Sequence, residues 1–220
     1  MSNLSHSFDD IANKHEHITR KHWLKRFFYK SLIQHFLTEI QPKKGDMIVE
    51  LACGNGYYGQ LCLNQGAKVY FLDINAQMLG MIKNRLKQSA NNFLIQGDIR
   101  YLPIASDKFQ KTVCFGAFPP LPTLEDVEKA IQEFVRITKP GGKVYFTYNP
   151  PHPLRYLSVK YWRLHARIFS SSMRDLPFID GRTSGTHTHE EIRKIVTKFG
   201  KNYRMDSKGL GIFGAVTIDV

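Results

Sequence analysis

The chain has 220 residues, 42% of them hydrophobic, and 31 basic against 19 acidic side chains give it a net charge of +12. That length suits one domain with a core large enough to need no disulfides, and Cys53, Cys62 and Cys114 are an odd set without zinc-ligand spacing, which points to a reducing cytoplasm. The absence of a long apolar run and the polar stretch Met1 to Arg20 predict neither a membrane-spanning helix nor a secretory leader, while the basic excess admits RNA or an anionic membrane surface as a partner, and equally a plainly solvated surface.

Met1 to Arg20 is histidine-rich, with Phe8, Ile11 and Ala12 as a short apolar patch, and reads as a frayed start with one helical turn. From Lys21 to Ile40 the residues Leu24, Phe28, Leu32 and Phe36 recur at helical spacing, with Phe27 and Ile40 widening the stripe; Lys21, Lys25, Arg26 and Lys30 make one side of that helix basic. Gln41 to Asp46 is a turn. Met47 to Ala52 then reads as a buried strand, Tyr57 to Asn64 as a helix, Lys68 to Asp73 as a second strand and Asn75 to Lys87 as a second crossing helix. Asn92 to Gln96 and Lys111 to Phe115 are further strands. Leu124 to Thr138 is an amphipathic helix opened by Pro122-Thr123 and stopped by Pro140-Gly141-Gly142, after which Lys143 to Asn149 forms the fifth strand. His189 to Phe199 should be helical, with Asn202 to Ser207 and Gly211 to Val220 as closing strands. Such alternation of strand and helix predicts an α/β fold built on a mostly parallel sheet.

The chemistry-bearing stretch is Glu50-Leu51-Ala52-Cys53-Gly54-Asn55-Gly56-Tyr57-Tyr58-Gly59, where the first strand breaks into a glycine turn at the start of a helix. Gly54-x-Gly56-x-x-Gly59 matches the dinucleotide pattern, in which glycines let the backbone approach a ligand. Asp73 follows about twenty residues later, at the tip of the next strand, where a carboxylate accepts from both hydroxyls of a ribose. Both features suit any adenosine cofactor. Glu50 separates the candidates, because a carboxylate at the turn repels a pyrophosphate and favours a ligand carrying an ammonium and a sulfonium. Ile74 and Met78 then offer apolar contacts to an adenine.

Together with Gln96-Gly97-Asp98 and Lys139-Pro140-Gly141-Gly142, these residues resemble the class I S-adenosylmethionine-dependent methyltransferases, and within them the branch containing the ubiquinone and menaquinone enzymes. The resemblance covers Asp46 to Asn149. It implies a Rossmann-like, seven-stranded, mostly parallel sheet with helices on both faces and an N-terminal helical cap, divided into a cap (1–45), a cofactor-binding core (46–150), a substrate lid (151–188) and a closing helix with strands (189–220). Ala52 stands where many members carry a first glycine, a mild change at negative φ. The resemblance assigns the donor's amino-acid tail to the loop Ala52, Cys53, Gly54 and Gly56, with Glu50 orienting that loop or binding the tail through its amide neighbours. It assigns the adenine amino group to Asp98 beside Ile99, and the floor beneath the methyl group to Phe115 and Gly116.

Methyl transfer needs alignment more than acid chemistry, and a base only where the acceptor carries a proton. His152, after the fifth strand, is the candidate base. Residues 153 to 174 pair an apolar face (Leu157, Tyr161, Leu164, Ile168) with a basic one (Lys160, Arg163, Arg167), which suits a lid, and also a lipid-facing or RNA-facing surface. His165, His187 and His189 have no metal-ligand spacing, so no metal is expected. The implied activity is transfer from S-adenosylmethionine to a small or lipophilic acceptor; an RNA methyltransferase and a non-catalytic cofactor-binding domain are the alternatives, and the oligomeric state has no signal.

Overall fold

A computed structural model describes residues 23–86, 90–116, 118, 121, 123–153, 186–200, 202–208 and 211–220, with only the backbone of 23–30. The N-terminal patch, the basic side of the first helix and both faces read into 153–174 lie outside the described residues. The elements are α1 (Trp23–Ile40), β1 (Met47–Leu51), α2 (Tyr57–Leu63), β2 (Lys68–Asp73), α3 (Ala76–Leu86), β3 (Asn92–Gln96), β4 (Phe109–Cys114), α4 (Leu124–Ile137), β5 (Thr138–Tyr148), α5 (His189–Val196), β6 (Tyr203–Lys208) and β7 (Phe213–Asp219). They form the expected seven-stranded sheet, in the order β3-β2-β1-β4-β5-β7-β6. β1 to β5 run parallel, and β7 is antiparallel to both β5 and β6.

Side chains alternate across each strand, so a strand buried on both faces carries apolar residues on both of them. β1 shows the consequence. Ile48 points with Val69, Phe71, Val113 and Tyr145 into a layer shared with Phe36 and Ile40 of α1, Cys62 of α2 and Ile82 of α3. Val49 and Leu51 point the other way, with Leu72, Val144 and Phe146, against Val127, Ile131 and Phe134 of α4 and Ile192 and Val196 of α5. Helices therefore cover both faces, as the sequence pattern predicts.

Side chains start both α4 and α5. Thr123 accepts from the Asp126 amide (3.1 Å) at the head of α4. Thr188 and Glu191 exchange bonds in a capping box at α5, the Glu191 amide donating to Thr188 Oγ1 (3.2 Å) and the Thr188 amide to Glu191 Oε2 (2.7 Å). Capping of this kind satisfies amides that the first turn leaves without partners.

Pro140-Gly141-Gly142 does not stop α4, contrary to expectation. The helix ends earlier, where Thr138 turns extended and its hydroxyl bonds both Phe134 O (2.6 Å) and Thr112 Oγ1 (2.7 Å). The glycines lie inside β5 as an irregularity: the register moves from Phe109↔Thr138 to Lys111↔Lys143, so two steps along β4 match five along β5. Gly141 and Gly142 there hold the last residue, through Gly141 N–H to Val220 O (2.7 Å) and Val220 N–H to Gly142 O (3.0 Å). From β3 the chain returns to β4 through 97–108 without a helix. This crossover is pinned to α4, where Glu133 accepts from the Leu102 amide (2.8 Å) and Arg136 donates to Ile104 O (2.8 Å).

Candidate functional site

The registers Leu51↔Leu72, Leu51↔Cys114 and Asp73↔Gln96 bring the ends of β1, β2, β3 and β4 level, so the segments leaving them share one carboxyl edge. This is the edge at which open α/β sheets bind ligands. Residues 52–56 turn sharply there. Ala52 (φ 48°), Gly54 (φ 50°) and Gly56 (φ 68°) are all left-handed, and the loop is tied by Cys53 N–H to Leu72 O (3.0 Å) and Gly56 N–H to Cys53 O (2.7 Å). The mild substitution expected at Ala52 required a negative φ. Its positive φ instead places a Cβ in a conformation that disfavours side chains by about 1–2 kcal/mol. A Cβ on Gly54 would meet nothing within 4 Å, so its backbone faces open space.

Asp73 clasps this loop. Its Oδ2 accepts from the Gly54 amide (2.8 Å) and its Oδ1 from the Asn75 amide (2.9 Å), while Asn75 itself caps α3 by accepting from Gln77 N–H (2.8 Å). Burial raises the Asp73 pKa, against the amides that lower it. Each carboxylate oxygen has a second lone-pair direction beyond its amide, which leaves acceptor capacity for a diol. Beside it Ile74 is 59% exposed, an apolar side chain open to solvent where a flat ring could cover it. Met78 lies in the first turn of α3, half-buried.

Glu50 departs from the role that its charge suggested. It is 2% exposed, beneath the loop, and its Oε2 accepts from the Gly59 amide (2.8 Å) at the head of α2. Burial pushes its pKa up to about 8, against the Gly59 and Tyr58 amides and Arg85, which lower it. Mostly protonated near neutrality, it holds the helix to β1 and presents no standing charge to a ligand, so electrostatics alone does not distinguish one adenosine cofactor from another. Arg85 braces the same loop by donating to Asn55 O (2.5 Å).

Asp98 and Ile99 stand at the tip of β3 as expected, with Ile99 buried. The Asp98 carboxylate is already engaged, with Arg100 Nη2 on Oδ2 (2.6 Å) and the Arg100 amide on Oδ1 (2.9 Å), and the guanidinium continues to Asp126 (2.9 Å). These bonds hold the Asp98 carboxyl below its ordinary range. Phe115 stacks flat on Tyr58 at 3.4 Å and meets Phe36 and Tyr145 at 5.1 and 5.4 Å, an aromatic wall at the end of β4. Gly116, with φ 62°, donates its amide to Thr147 Oγ1 (3.0 Å) on β5. His152 is half-buried against Gly211, away from this cluster in sequence and set beyond the end of β5. Cys53 is buried, which drives its thiol pKa up. Tyr58, Arg85, Arg100 and Thr147 were missed from sequence; only Tyr58, inside the glycine motif, carried any local signal. No helix among the described residues is long and apolar enough to cross a membrane, and no metal-binding cluster occurs among them.

Residues 48–142 match the family model described as a methyltransferase domain. The chain is 29% identical over 153 residues to a demethylmenaquinone methyltransferase of Thermobifida fusca, a match covering 67% of this chain and 62% of that protein. It is 26% identical over 155 residues to a malonyl-[acyl-carrier protein] O-methyltransferase of Hamiltonella defensa, covering 70% of this chain and 57% of that protein. The chain thus spans about three fifths of the length of these relatives. Among solved structures, magnesium protoporphyrin IX methyltransferase from Synechocystis with bound S-adenosylhomocysteine superposes with a TM-score of 0.63 at 16% identity, over 90% of this chain and 88% of that one.

Proposed function

We propose that this chain, whose fold and whose residues 48–142 are those of a class I S-adenosylmethionine-dependent methyltransferase domain, transfers a methyl group from S-adenosylmethionine to a small or lipophilic acceptor. The observation that carries this reading is the clasp of Asp73 on Gly54, with exposed Ile74 beside it. The donor set fits the cofactor: a carboxylate with acceptor capacity left for ribose hydroxyls, an open apolar surface for adenine, and an unobstructed glycine backbone for the amino-acid tail. Asp73 takes the ribose, Ile74 and Met78 the adenine, and Asp98 with the Ile99 backbone the adenine amino edge. Ala52, Cys53, Gly54 and Gly56 receive the tail, and Glu50 holds that loop at the correct height.

When bound, the cofactor supplies an electrophilic methyl on a sulfonium. The chain's own part is alignment and the exclusion of water, and proximity of well-placed reactants is worth roughly 7–11 kcal/mol. Phe115 and Gly116 floor the reacting centre, and Phe36, Tyr58 and Tyr145 keep that floor dry. Residues 46–150 hold the donor in this reading. The relatives named for demethylmenaquinone and for a malonyl thioester support a lipophilic or carrier-bound small acceptor.

The test is calorimetric titration with S-adenosylhomocysteine. Wild type binds it, and Asp73→Asn, which keeps one acceptor for the Gly54 amide, loses about 10- to 100-fold in affinity, since hydrogen bonds to a charged group contribute about 1.5–3 kcal/mol. An Asp73→Asn protein with wild-type affinity overturns the assignment.

A further inference from the structure

α1 is fastened to the sheet by polar groups as well as by its apolar side. His35 lies against β5 and β6, with Nδ1 at 3.2 Å from the Tyr145 hydroxyl and Nε2 at 3.2 Å from Asp206 Oδ2. An ionised carboxylate only accepts, so Nε2 carries the proton, and the bare Nδ1 accepts from the tyrosine hydroxyl. The neutral ring thus satisfies both partners at once. One turn on, Glu39 accepts from Arg204 Nη2 (2.9 Å), and its backbone carbonyl accepts from Lys143 Nζ (3.1 Å). Among the described residues the charges around the ring are already matched: Asp206 with Lys208 (3.6 Å), Glu39 with Arg204, and Asp219 with Arg204 (3.0 Å) and Lys143 (4.0 Å). A proton added to His35 is therefore an uncompensated charge. It also turns Nδ1 into a donor, and the Tyr145 hydroxyl must then swing its own proton away inside a fully buried residue. Phe36, the next residue, carries the effect to the candidate site: it meets Phe115 edge-on at 5.1 Å and Tyr58 at 5.7 Å, while the Tyr145 ring lies 5.4 Å from Phe115.

We propose that His35 is a proton-sensitive latch: neutral, it seats α1 on β5 and β6 and presses Phe36 onto Phe115; protonated, it loosens that seat and opens the aromatic wall to water. The latch stands on contacts within the fold, and only its consequence for methyl transfer rests on the methyltransferase reading. The His35 side chain keeps 11% of its surface and the Asp206 side chain 39%, so a proton reaches the ring from the β6 edge of the sheet. Burial and Lys208 hold the His35 pKa below 6.5, against Asp206 and Glu39. The unfolded ring therefore takes up its proton first. The seat is at full strength above pH 6.5 and weakens as pH falls from there through the folded value.

Two measurements on the full chain test this. In NMR titrations Tyr145→Phe, which removes the bond to the bare nitrogen, raises the His35 pKa, and Asp206→Asn, which removes the facing anion, lowers it. A shift of the opposite sign in either variant overturns the proposal. Hydrogen exchange, corrected for its intrinsic pH dependence, reads the seat itself. From pH 7.5 to pH 5.5 the opening of residues 31–40 and 114–116 in wild type rises at least about threefold relative to α4, since each pKa unit between the folded and the free ring is worth about a factor of 10. In His35→Gln, which does not titrate, that opening stays constant. Should this variant fail to fold, Tyr145→Phe carries the test: its His35 pKa lies nearer that of the free ring, so the rise shrinks. A wild type whose α1 opens no further at pH 5.5, or a variant that shows the full wild-type rise, overturns the latch. S-adenosylhomocysteine binding is the separate control, because wild type that binds none defeats the methyltransferase reading and leaves the latch standing.

Discussion

Glu50 shows how a residue legible in sequence takes on a different task in three dimensions. Its position at the end of β1 was readable from the apolar run that precedes it, but its burial was not, because Gly59 and Phe71 close over it only when α2 docks. The unfolded carboxyl ionises near 4.5 and the folded one near 8. Between these values the folded protein keeps a proton that the unfolded chain has released, so this group's contribution to stability falls as pH rises through that window. Below 4.5 it imposes no penalty. Glu50→Gln retains an acceptor for the Gly59 amide and does not titrate. Urea unfolding should therefore show the variant gaining on wild type from pH 5 to pH 8.5; an equal deficit at both pH values would show that Glu50 is ionised in the fold. The place of Asp73 beside the glycine loop was legible because it depends on spacing from that turn. Arg100 and Thr147 were not, because each acts through a partner brought to it by the sheet: Asp126 for one, the Gly116 amide for the other. Ala52 was legible as a departure from the glycine pattern, yet its φ of 48° is set by the turn as a whole.

At the scale of elements, strand and helix order follows from hydrophobic periodicity, and the boundaries shift where a tertiary bond intervenes. Lys68–Asp73 and Asn92–Gln96 coincide with their expected limits, because both strands end at acids and glycines that also end the apolar run. Thr138 ends α4 ahead of the glycines because Thr112, on β4, offers its hydroxyl a partner that no local pattern announces. The seating of α2 on the sheet gives a sharper test. Inside a helix, glycine to alanine ordinarily gains about 1 kcal/mol. At Gly59 a Cβ would stand 2.4 Å from Phe71 Cε1 and 2.6 Å from Glu50 Oε2. Overpacking a close-packed layer costs about 1–3 kcal/mol, and this contact is with a buried ring and a bonded carboxyl, so the upper part of that range applies and the sign reverses. Gly59→Ala should lower the denaturation midpoint; a midpoint above wild type would mean that α2 is free to lift from β1.

Across the whole molecule, the seven-stranded sheet and the two-sided core were legible because the central strands β1 and β2 carry apolar residues on both faces, a pattern that a sheet covered on both sides satisfies. What remained hidden was the junction beyond β5, where the His187 amide meets the Asn149 carbonyl, since a backbone bond leaves no trace in residue identity. The proposed donor site is likewise a property of the assembled edge: Gly54, Asp73, Ile74 and Phe115 come from three different strand ends, brought level only in the fold. A ligand held by all of them binds the folded state alone, so it stabilises the molecule by mass action. At a hundredfold excess over its dissociation constant, S-adenosylhomocysteine contributes about 2.7 kcal/mol. For a domain of this size each kcal/mol moves the midpoint by about 2–4 °C, which predicts a rise of about 5–11 °C for wild type. Asp73→Asn, with its weaker grip on the ribose, should show a smaller rise at the same ligand concentration, and the gap between the two proteins should close as the ligand is raised to saturate the variant. A rise of equal size in both proteins at low ligand would place the binding energy elsewhere than on this clasp, because the substitution can keep an acceptor for the Gly54 amide but replaces the other carboxylate oxygen by a donor and removes the charge on which the hydroxyls rely.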